Sequence, residues 1–330
     1  MSKGTISANI LNRSIIRHVA KKSGSVIAGA GGDYAVFKGS DNMFSATGFA
    51  DDETVCSITP GIAAEIIAEN SLTAAGIAPS FMNIFITACE DCPEEKLRHE
   101  MTELTKLAKE RGIAVIGGNT AFSGKGSSYS VTINLLGVPG ESDGKVHISQ
   151  DVRKEAAAGD YVFVIGDAGH FGVSQLIKQN YDRLIQRFSK SFLEEAVMDE
   201  ALYRIESPEE MYLVHDVSYG GVYRALYDLA EWTGLGIGIC HEELPIRQDT
   251  IEVCEFLDIN PYALFGVGGA VGLFHEDKLD MVKESTAYKE GKLHIAGRLT
   301  EKKEKLVTSE VYRMHRFLTP YQQDEIYNIK

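Results

Sequence analysis

The sequence is poor in cysteine and has no long apolar run. Its five cysteines, an odd number, are scattered over 330 residues, which excludes a disulfide framework and is typical of a reducing compartment. No stretch approaches the ~20 uninterrupted apolar residues of a membrane-spanning helix. Residues 1–22 contain no apolar run of the signal-peptide type. We therefore expect a cytoplasmic protein that does not enter the membrane.

Basic residues are also scarce. Lys and Arg number 33 against 47 Asp and Glu, which gives a formal charge of -14. A nucleic acid or an anionic membrane would need a basic patch on the protein, so neither is an expected partner. The chain is long enough for two domains and can bury about 75% of its unfolded surface. It therefore needs no disulfide or structural metal to fold.

Strand and helix patterns alternate in the first half of the chain. The predicted elements are a strand at 81–88, a helix at 93–111, and strands at 113–116 and 129–138. Pro93 suits the first turn of that helix, and Gly112 suits its end. The strand at 113–116 opens into Gly117-Gly118-Asn119-Thr120, which alone is typical of a turn. This order of elements indicates an α/β or α+β domain.

The second half of the chain has a similar rhythm. Its predicted elements are a strand at 161–165, a glycine-rich loop at 166–172, a strand at 212–215, a loop at 216–221, a helix at 222–232 ending at Gly234, and a strand at 235–240. A polar segment separates the two halves, and we place the boundary near residues 147–152. The predicted domains are residues 1–148 and residues 149–330.

Two local motifs have ordinary explanations when each is taken alone. Cys89 and Cys92 have the C-x-x-C spacing, but a structural zinc site needs a second pair, which Cys240 and Cys254 do not supply. Two cysteines at a strand end are therefore favoured over a metal or redox pair. The glycines within residues 29–33 would let backbone N–H groups approach a phosphate, but they lack the Lys-Ser/Thr ending of a P-loop.

The order of several motifs together resembles the aminoimidazole ribonucleotide (AIR) synthase superfamily, which includes thiamine monophosphate kinase and selenophosphate synthetase. The nearest resemblance is to its hydrogenase maturation dehydratase, which makes the iron's cyanide ligand. Five segments of this chain are similar, in the same order, to five of its motifs. Residues 31–36 resemble G-D-D-A-A-V, residues 69–79 resemble V-N-D-L-A-x-x-G-A-x-P, and residues 117–120 resemble G-G-D-T. Residues 216–221 resemble D-P-T-R-G-G, and residues 234–246 resemble G-V-G-I-x-I-x-E-x-x-I-P-V. The resemblance runs from about residue 31 to about residue 299.

The resemblance implies a fold and a cofactor. In this fold the sheet of the N-terminal α/β domain joins its copy in a homodimer to form a shared β-barrel, and a C-terminal α/β domain follows. Relatives bind Mg-ATP in a cleft between the domains and transfer its γ-phosphate, with carboxylates holding the ions that neutralise the triphosphate. The positions that would bind the nucleotide or another ligand are Asp33, Thr47, Asn70, Ser71, Gly118, Asn119, Asp216 and Gly220.

The metal-binding positions depart from the family pattern. At four positions where the family has an acid, this chain has Gly32, Thr47, Ser71 and Asn119. The E-G-K of the family's A-N-E-G-K-L motif is replaced by Val267-Gly268-Gly269. Asp33 and Asp216 remain as candidate metal ligands. A hydroxyl or an amide brings no negative charge, so two carboxylates are not expected to organise two or three magnesium ions around ATP.

Other functional groups of the family are missing as well. The Arg of D-P-T-R-G-G is Tyr219, which offers one hydroxyl instead of a forked contact with phosphate oxygens. No cysteine precedes Cys56, and the last four residues contain none. The nucleophile of selenophosphate synthetase and the carbamoyl carrier of the hydrogenase maturation protein therefore have no counterpart, and neither activity is expected.

Some residues are candidate replacements for the missing groups. Asp51 and Asp52 are candidate metal ligands, although a solvated acidic loop is the favoured interpretation. His215 and Asp216 are candidate catalytic residues, with His215 as a general base at a strand end, although a buried histidine satisfied by backbone is the commoner arrangement. His170 precedes a predicted helix and is a candidate for contact with an anion at its N-terminus.

The sequence leaves three functions open. The leading hypothesis is a homodimer of the AIR synthase fold with a degenerate Mg-ATP site, which binds a ligand or partner and has weak or no phosphotransfer activity. The second is an active ATP-dependent phosphotransferase or dehydratase-like enzyme that uses an altered metal set of Asp33, Asp51, Asp52 and Asp216. The third is a scaffold in a metalloenzyme maturation complex, bound to a protein partner.

Overall fold

A computed structural model describes residue 14 and residues 26–28, 34–37, 43–123, 128–138, 152–205, 211–319 and 323–329. From residue 26 onward, these residues fall into two compact units, 26–138 and 152–329. The expected boundary between residues 148 and 149 lies outside the described residues. Among the helices that the structure describes, none is long and apolar enough to cross a membrane.

The first unit is built on a six-stranded sheet in the order β1-β2-β3-β6-β4-β5. The strands are β1 (Val26–Ala28), β2 (Tyr34–Phe37), β3 (Met43–Asp51), β4 (Pro79–Cys89), β5 (Ala114–Ser123) and β6 (Ser130–Gly137), and the helices are α1 (Pro60–Ala74) and α2 (Glu94–Glu110). Strands β4 and β5 are parallel, and the other neighbouring strands are antiparallel. The predicted strands at 81–88 and 129–138 are confirmed.

Helix α1 covers one face of this sheet because small residues let the two backbones approach closely. Alternate residues of β3, such as Phe44 and Ala46, are buried, as are Ala64 and Ala68 on α1. Residues with the opposite parity, such as Thr47 and Phe49, are exposed, except Ser45, which is half-buried, and Asp51 at the strand end, which is buried. The period-two alternation therefore separates a helix-covered face from an exposed face.

Helix α2 follows the predicted limits closely. Pro93 is its N-cap, with extended backbone, rather than its first helical residue. Arg111 is the C-cap, and Gly112 follows with a φ of 69°, a left-handed conformation that glycine adopts readily. The predicted helix at 93–111 is confirmed to within a residue at each end.

The predicted turn at Gly117-Gly118-Asn119-Thr120 is wrong, since these residues continue β5. Each pairs with a residue of β4, and Gly118 lies opposite Ile84. A Cβ on Gly118 would lie 1.8 Å from the carbonyl oxygen of Ile84, and its φ is 151°. The glycines therefore permit close approach of two parallel strands.

The second unit contains a seven-stranded sheet in the order β13-β12-β9-β11-β7-β10-β8. The strands are β7 (Tyr161–Ile165), β8 (Leu213–Val217), β9 (Gly236–Cys240), β10 (Gly269–Phe274), β11 (Leu293–Thr300), β12 (Lys305–Ser309) and β13 (Met314–Phe317). The α-helices are α3 (Val152–Glu155), α4 (His170–Gln179), α5 (Tyr181–Leu184), α6 (Lys190–Glu195), α7 (Gly221–Thr233), α8 (Gln248–Leu257), α9 (Leu279–Glu284) and α10 (Thr286–Lys289). The mixed α/β class is confirmed.

Helix α7 joins the core of this unit through one apolar face. Val222, Leu226 and Leu229 are buried in the same cluster as Val271 of β10. The helix ends at Gly234, whose φ is 73°. This confirms the predicted helix at 222–232 and its glycine stop.

Three glycine-containing loops meet at one edge of the second sheet. Strand β10 is antiparallel to both of its neighbours, β7 and β8. The ends of β7 and β8 therefore lie beside the start of β10. We call the loops 166–169, 218–220 and 265–268 the glycine-loop edge. Asp216, expected in a loop, instead lies within β8.

Candidate functional site

Thr47 and Asn119 lie on the exposed face of the first sheet, but on different strands. Thr47 on β3 pairs with Asn134 on β6, which pairs with Asn83 on β4, which pairs with Gly117 on β5. Asn119 is two residues beyond Gly117 and therefore on the same face. Three strand spacings of ~4.8 Å separate the two strands, so one metal ion cannot bridge both side chains within this sheet.

Asn134 is a polar residue of this face that the motifs did not indicate. Its amide donates hydrogen bonds to Ser45 Oγ at 2.7 Å, to the carbonyl of Ala46 at 3.2 Å and to Thr47 Oγ1 at 3.0 Å. The Thr47 hydroxyl is thus held by an amide rather than surrounded by carboxylates. This cluster can hydrogen bond to a ligand but carries no formal charge.

Asn70 and Ser71 belong to helix α1 and are buried. The Ser71 hydroxyl donates to the carbonyl of Ile67 at 3.1 Å, which is the usual back-bond of a serine inside a helix. In the same turn, the buried Glu69 forms an ion pair with Arg111. Ser71 therefore directs its hydroxyl at its own helix, and its site differs from that of Thr47.

Asp51 and Asp52 both have protein partners. Asp51 is the last residue of β3 and is buried, and its Oδ1 accepts from Glu53 N at 3.1 Å and from the Thr54 backbone and hydroxyl at 3.0 Å each. Asp52 Oδ2 lies 2.6 Å from Lys96 Nζ. Asp51 therefore stabilises the turn after β3, and Asp52 forms a half-exposed ion pair.

Cys89 and Cys92 form a turn at the end of β4. The N–H of Cys92 donates to the carbonyl of Cys89 at 3.0 Å. A hydrogen bond with Asp91 raises the pKa of the Cys89 thiol, which disfavours the reactive thiolate. Throughout the part of the chain that the structure describes, no group of three or more His, Cys, Asp or Glu side chains could hold a metal ion. Asp33, with the 29–33 loop, lies outside the described residues.

His215 and Asp216 are buried residues of β8. His215 Nδ1 lies 4.0 Å from Asp216 Oδ1, and its Nε2 lies 4.0 Å from Asp228 Oδ2 on α7. Its ring also packs against Trp232, with centroids 4.5 Å apart. These contacts tie His215 to helix α7, in the manner of a core histidine.

The loop after β8 provides a helix N-terminus at the glycine-loop edge. Gly220 and Gly221 have φ values of 85° and 62°, and Gly220 is the N-cap of α7. A Cβ on Gly221 would lie 2.7 Å from the carbonyl oxygen of Tyr262, so the second glycine allows close packing. The ring of Tyr219 packs on Phe265, with centroids 4.4 Å apart. Tyr219, which the resemblance matches to an arginine, is therefore in contact with loop 265–268, which it matches to E-G-K.

Asp324 connects these two loops, and no motif indicated it. Its Oδ2 accepts from the N–H of Gly220 at 2.5 Å, and its Oδ1 accepts from the N–H groups of Phe265 and Ile326, both at 2.9 Å. The residue is 1% exposed. Burial raises the pKa of its carboxyl to about 6. Asp324 is more than a hundred positions from Gly220, and a lone aspartate carries no sequence signal.

His170 begins helix α4 after Gly169, whose φ is 71°. Its ring is buried, and within the described residues its Nε2 has no hydrogen-bond partner. Burial, and next the charge of Arg247, lower the pKa of the imidazole. A neutral ring brings no charge to an anion, so the expected contact would depend on the helix N-terminus alone.

Comparison with known proteins gives relatives in one group. No protein-family model matches the chain. The carbamoyl dehydratase HypE of Rhizobium leguminosarum bv. viciae is 24% identical over 221 residues, which cover 64% of this chain and 59% of HypE. The match thus spans about three-fifths of the length of that relative.

Solved structures share the fold over most of the chain. A chain of a HypE–HypF complex is 23% identical, with a TM-score of 0.63, and the match covers 87% of this chain and 93% of that chain. HypE in complex with ATP is 17% identical, with a TM-score of 0.64 and coverage of 98% and 97%. AaThiL complexed with AMPPCP and TMP is 19% identical, with a TM-score of 0.60 and coverage of 93% and 96%. The resemblance to the AIR synthase superfamily, and within it to hydrogenase maturation proteins, is confirmed.

Proposed function

We propose that this protein is a homodimeric, AIR synthase-like protein with a degenerate Mg-ATP site, which binds a ligand and has weak or no phosphotransfer activity. The observation that carries the proposal is the neutral character of the exposed face. The resemblance matches Thr47 and Asn119 to aspartates of the family, and the amide of Asn134 that bonds the Thr47 hydroxyl is neutral as well. Neutral groups of this kind contact a ligand without neutralising a triphosphate.

The chemistry of the donor set supports the loss of the metal site. Magnesium prefers carboxylate oxygens and keeps several waters. In the first unit, Asp51 already accepts three hydrogen bonds and Asp52 is paired with Lys96. In the second unit, Asp216 is buried, and among the described residues it belongs to no group of three or more His, Cys, Asp or Glu side chains that could hold a metal ion. The described residues of each unit, taken by themselves, therefore form a poor magnesium site.

The exposed face of the first unit supports the homodimer. Phe81 and Phe85 on β4 are 37% and 43% exposed, and residues 114–122 of the edge strand β5 are exposed throughout. Exposed aromatic residues beside an unpaired strand edge are characteristic of a surface that another chain covers. A second copy that joins its own sheet here would bury both features.

A second candidate is a partner-binding protein in a metalloenzyme maturation complex. The solved complex of HypE with HypF supports this candidate, because a protein of the same fold binds another protein. It predicts a stable partner, and the absence of any partner after crosslinking in the native host would count against it. The candidate is compatible with a degenerate nucleotide site.

The third candidate is an active ATP-dependent enzyme with altered metal ligands. The ATP complex of HypE and the AMPPCP complex of AaThiL support nucleotide binding by this fold. This candidate requires Asp33 and Asp216 as ligands. It therefore predicts that Asp216→Asn abolishes nucleotide binding, whereas the leading proposal predicts little change.

A thermal-shift screen of nucleotides with and without Mg²⁺ distinguishes these candidates, because a ligand that binds the native state raises the apparent stability. We expect any stabilisation by ATP to be independent of Mg²⁺ and equal in the wild type and Asp216→Asn. A magnesium-dependent shift that disappears in Asp216→Asn, together with ATP turnover, would overturn the leading proposal.

A further inference from the structure

The carboxylate of Asp324 joins three segments of the second unit that are distant in sequence. One oxygen binds the N–H of Gly220, at the N-cap of α7. The other binds the N–H of Phe265, just before β10, and the N–H of Ile326 in the 3₁₀ turn Glu325–Tyr327. We call residues 324–327 the C-terminal turn. Three backbone N–H groups thus converge on one buried side chain.

The two loops contacted by Asp324 are also coupled to each other. The N–H of Gly266 donates to the carbonyl of Ser218 at 3.2 Å, and Gly269 pairs with Val217. Asp324 provides an additional bridge at the outer end of this pairing. Its removal would leave two buried N–H groups, those of Gly220 and Phe265, without this acceptor, a situation that costs free energy unless the loops move.

We propose that Asp324 is a positioning residue, which from the C-terminal turn holds loops 218–220 and 265–268 of the glycine-loop edge in their ligand-binding arrangement. The proposal rests on the proposed function, since these loops are assigned to a ligand site by the family resemblance, which places Gly220 among the ligand-binding positions. It goes further by identifying a residue that controls their geometry without contacting the ligand. The bridge is charged, so its strength also depends on pH.

The direction of that dependence follows from the surroundings of Asp324. Burial is the largest influence on its carboxyl, whose pKa is raised from an ordinary 3.8 to about 6; the three backbone hydrogen bonds oppose this rise, and the charge of Glu325 on the same turn adds to it. On the α7 side, the Arg224 side chain lies over Gly220 and is paired with Asp228 at 2.7 Å. On α8, burial and next the charge of Glu325 raise the pKa of the Cys254 thiol. His215 and Asp216 lie on β8, before the first loop.

Protonation therefore favours the closed turn. When the turn opens, Asp324 enters water and its pKa returns to the ordinary value, so the closed form binds the proton more tightly. Closure is most favourable below that ordinary value and weakens as the pH rises through about 6. A difference of two pKa units corresponds to as much as ~100-fold in the closing equilibrium.

Amide hydrogen exchange of the full chain, without nucleotide, tests this proposal. In Asp324→Ala at pH 7, we expect exchange at Gly220, Phe265 and Ile326 to become at least ~10-fold faster than in the wild type. In the wild type, opening at these three amides, corrected for intrinsic exchange, should increase between pH 5 and pH 7. In Asp324→Asn, which cannot ionise, that pH dependence should disappear.

Glu325→Gln is the matched control, since it removes a neighbouring charge on the same turn without removing a bond to either loop. We expect its exchange at Gly220 and Phe265 to stay within about 2-fold of the wild type. Unchanged exchange in Asp324→Ala, or an equal pH dependence in the wild type and Asp324→Asn, would overturn the proposal. A result of the nucleotide thermal-shift screen that overturns the proposed function would leave this exchange test unchanged, because the exchange experiment contains no nucleotide.

Discussion

The carbonyl oxygen of Ala64 lies where a side chain on Gly48 would have to be. A Cβ built on Gly48 would be 1.9 Å from that oxygen and 2.9 Å from the backbone nitrogen of Ala68. Helix α1 therefore rests directly on the backbone of β3. This contact fixes the distance between the helix and the sheet that presents Thr47 on its opposite face.

Gly48→Ala should destabilise the first unit strongly. The obstructing atoms are backbone atoms of α1, so the clash cannot be relieved by a rotamer change, and we expect a loss of about 3 kcal/mol at the upper end of overpacking effects. Gly117→Ala is the control, because its Cβ would meet only the Asn83 side-chain oxygen at 3.1 Å. Urea unfolding measures both variants, and equal losses would contradict this account of the α1 contact.

The fold was predictable wherever the periodicity of apolar residues agreed with the residues that begin or end helices and strands. The apolar run of β4, the helical spacing of α2 and the glycine after α7 each mark an element whose limits the structure reproduces. The failure at Gly117-Gly118 has a physical cause. Two adjacent glycines indicate a turn when only local propensity is considered, but here they let β5 approach β4.

The candidate site was predictable only in part. Motif order predicts that Thr47 and Asn119 stand at positions where the family has acids, and the structure places both residues on the exposed face. The sequence could not indicate that Ser71 would bond its own helix or that Asp51 would be a turn acceptor, because both depend on local backbone geometry. Asp324 reaches Gly220 only through the tertiary fold, so no sequence pattern precedes it.

Glu100 links the two helices of the first unit, and its removal should be costly. Its Oε1 accepts from the Thr59 hydroxyl at 2.6 Å and from the N–H of Gly61 at 2.9 Å at the start of α1. Glu100→Ala leaves both donors without this acceptor, and we expect a loss of about 2–3 kcal/mol. Glu100→Gln keeps an acceptor oxygen and should lose about 1 kcal/mol. Glu110→Ala, on the exposed end of α2, should change stability by less than about 0.5 kcal/mol in the same chemical denaturation.

The carboxyl of Glu100 should also make the stability of the first unit depend on pH, with its contribution decreasing as the pH rises. Burial is the largest influence on Glu100 and raises its pKa above the ordinary 4.5. The native state therefore retains this proton at pH values where the unfolded state has lost it. The contribution of Glu100 is fully present below the unfolded-state pKa and is lost as the pH rises through the higher native pKa. Unfolding free energies of the wild type and Glu100→Gln, measured from pH 4 upward, should diverge in this direction, and parallel curves would show that the carboxyl titrates normally.

Replacing Asp51 should cost more stability than replacing Asp52, and neither replacement should change the binding of magnesium. Asp51→Ala removes an acceptor from three donors and should cost about 1–2 kcal/mol. Asp52→Ala removes a half-exposed ion pair with Lys96 and should cost less than about 1 kcal/mol. Calorimetric titration with Mg²⁺ and ATP should give the same result for both variants and for the wild type. Selective loss of a magnesium response in either variant would support the altered metal set instead.

An aspartate on the exposed face should dissociate the proposed homodimer. Phe85 is 43% exposed within one chain, so Phe85→Asp should leave the fold of the isolated unit nearly intact. In a dimer joined through this face, the new carboxylate would be buried without a partner, which costs several kcal/mol and shifts the equilibrium to monomers. Size-exclusion chromatography with light scattering should give twice the chain mass for the wild type and the single mass for Phe85→Asp. Met281→Asp, at a position 51% exposed in the second unit, is the control and should remain dimeric; a monomeric wild type, or dimers of all three proteins, would rule out this interface.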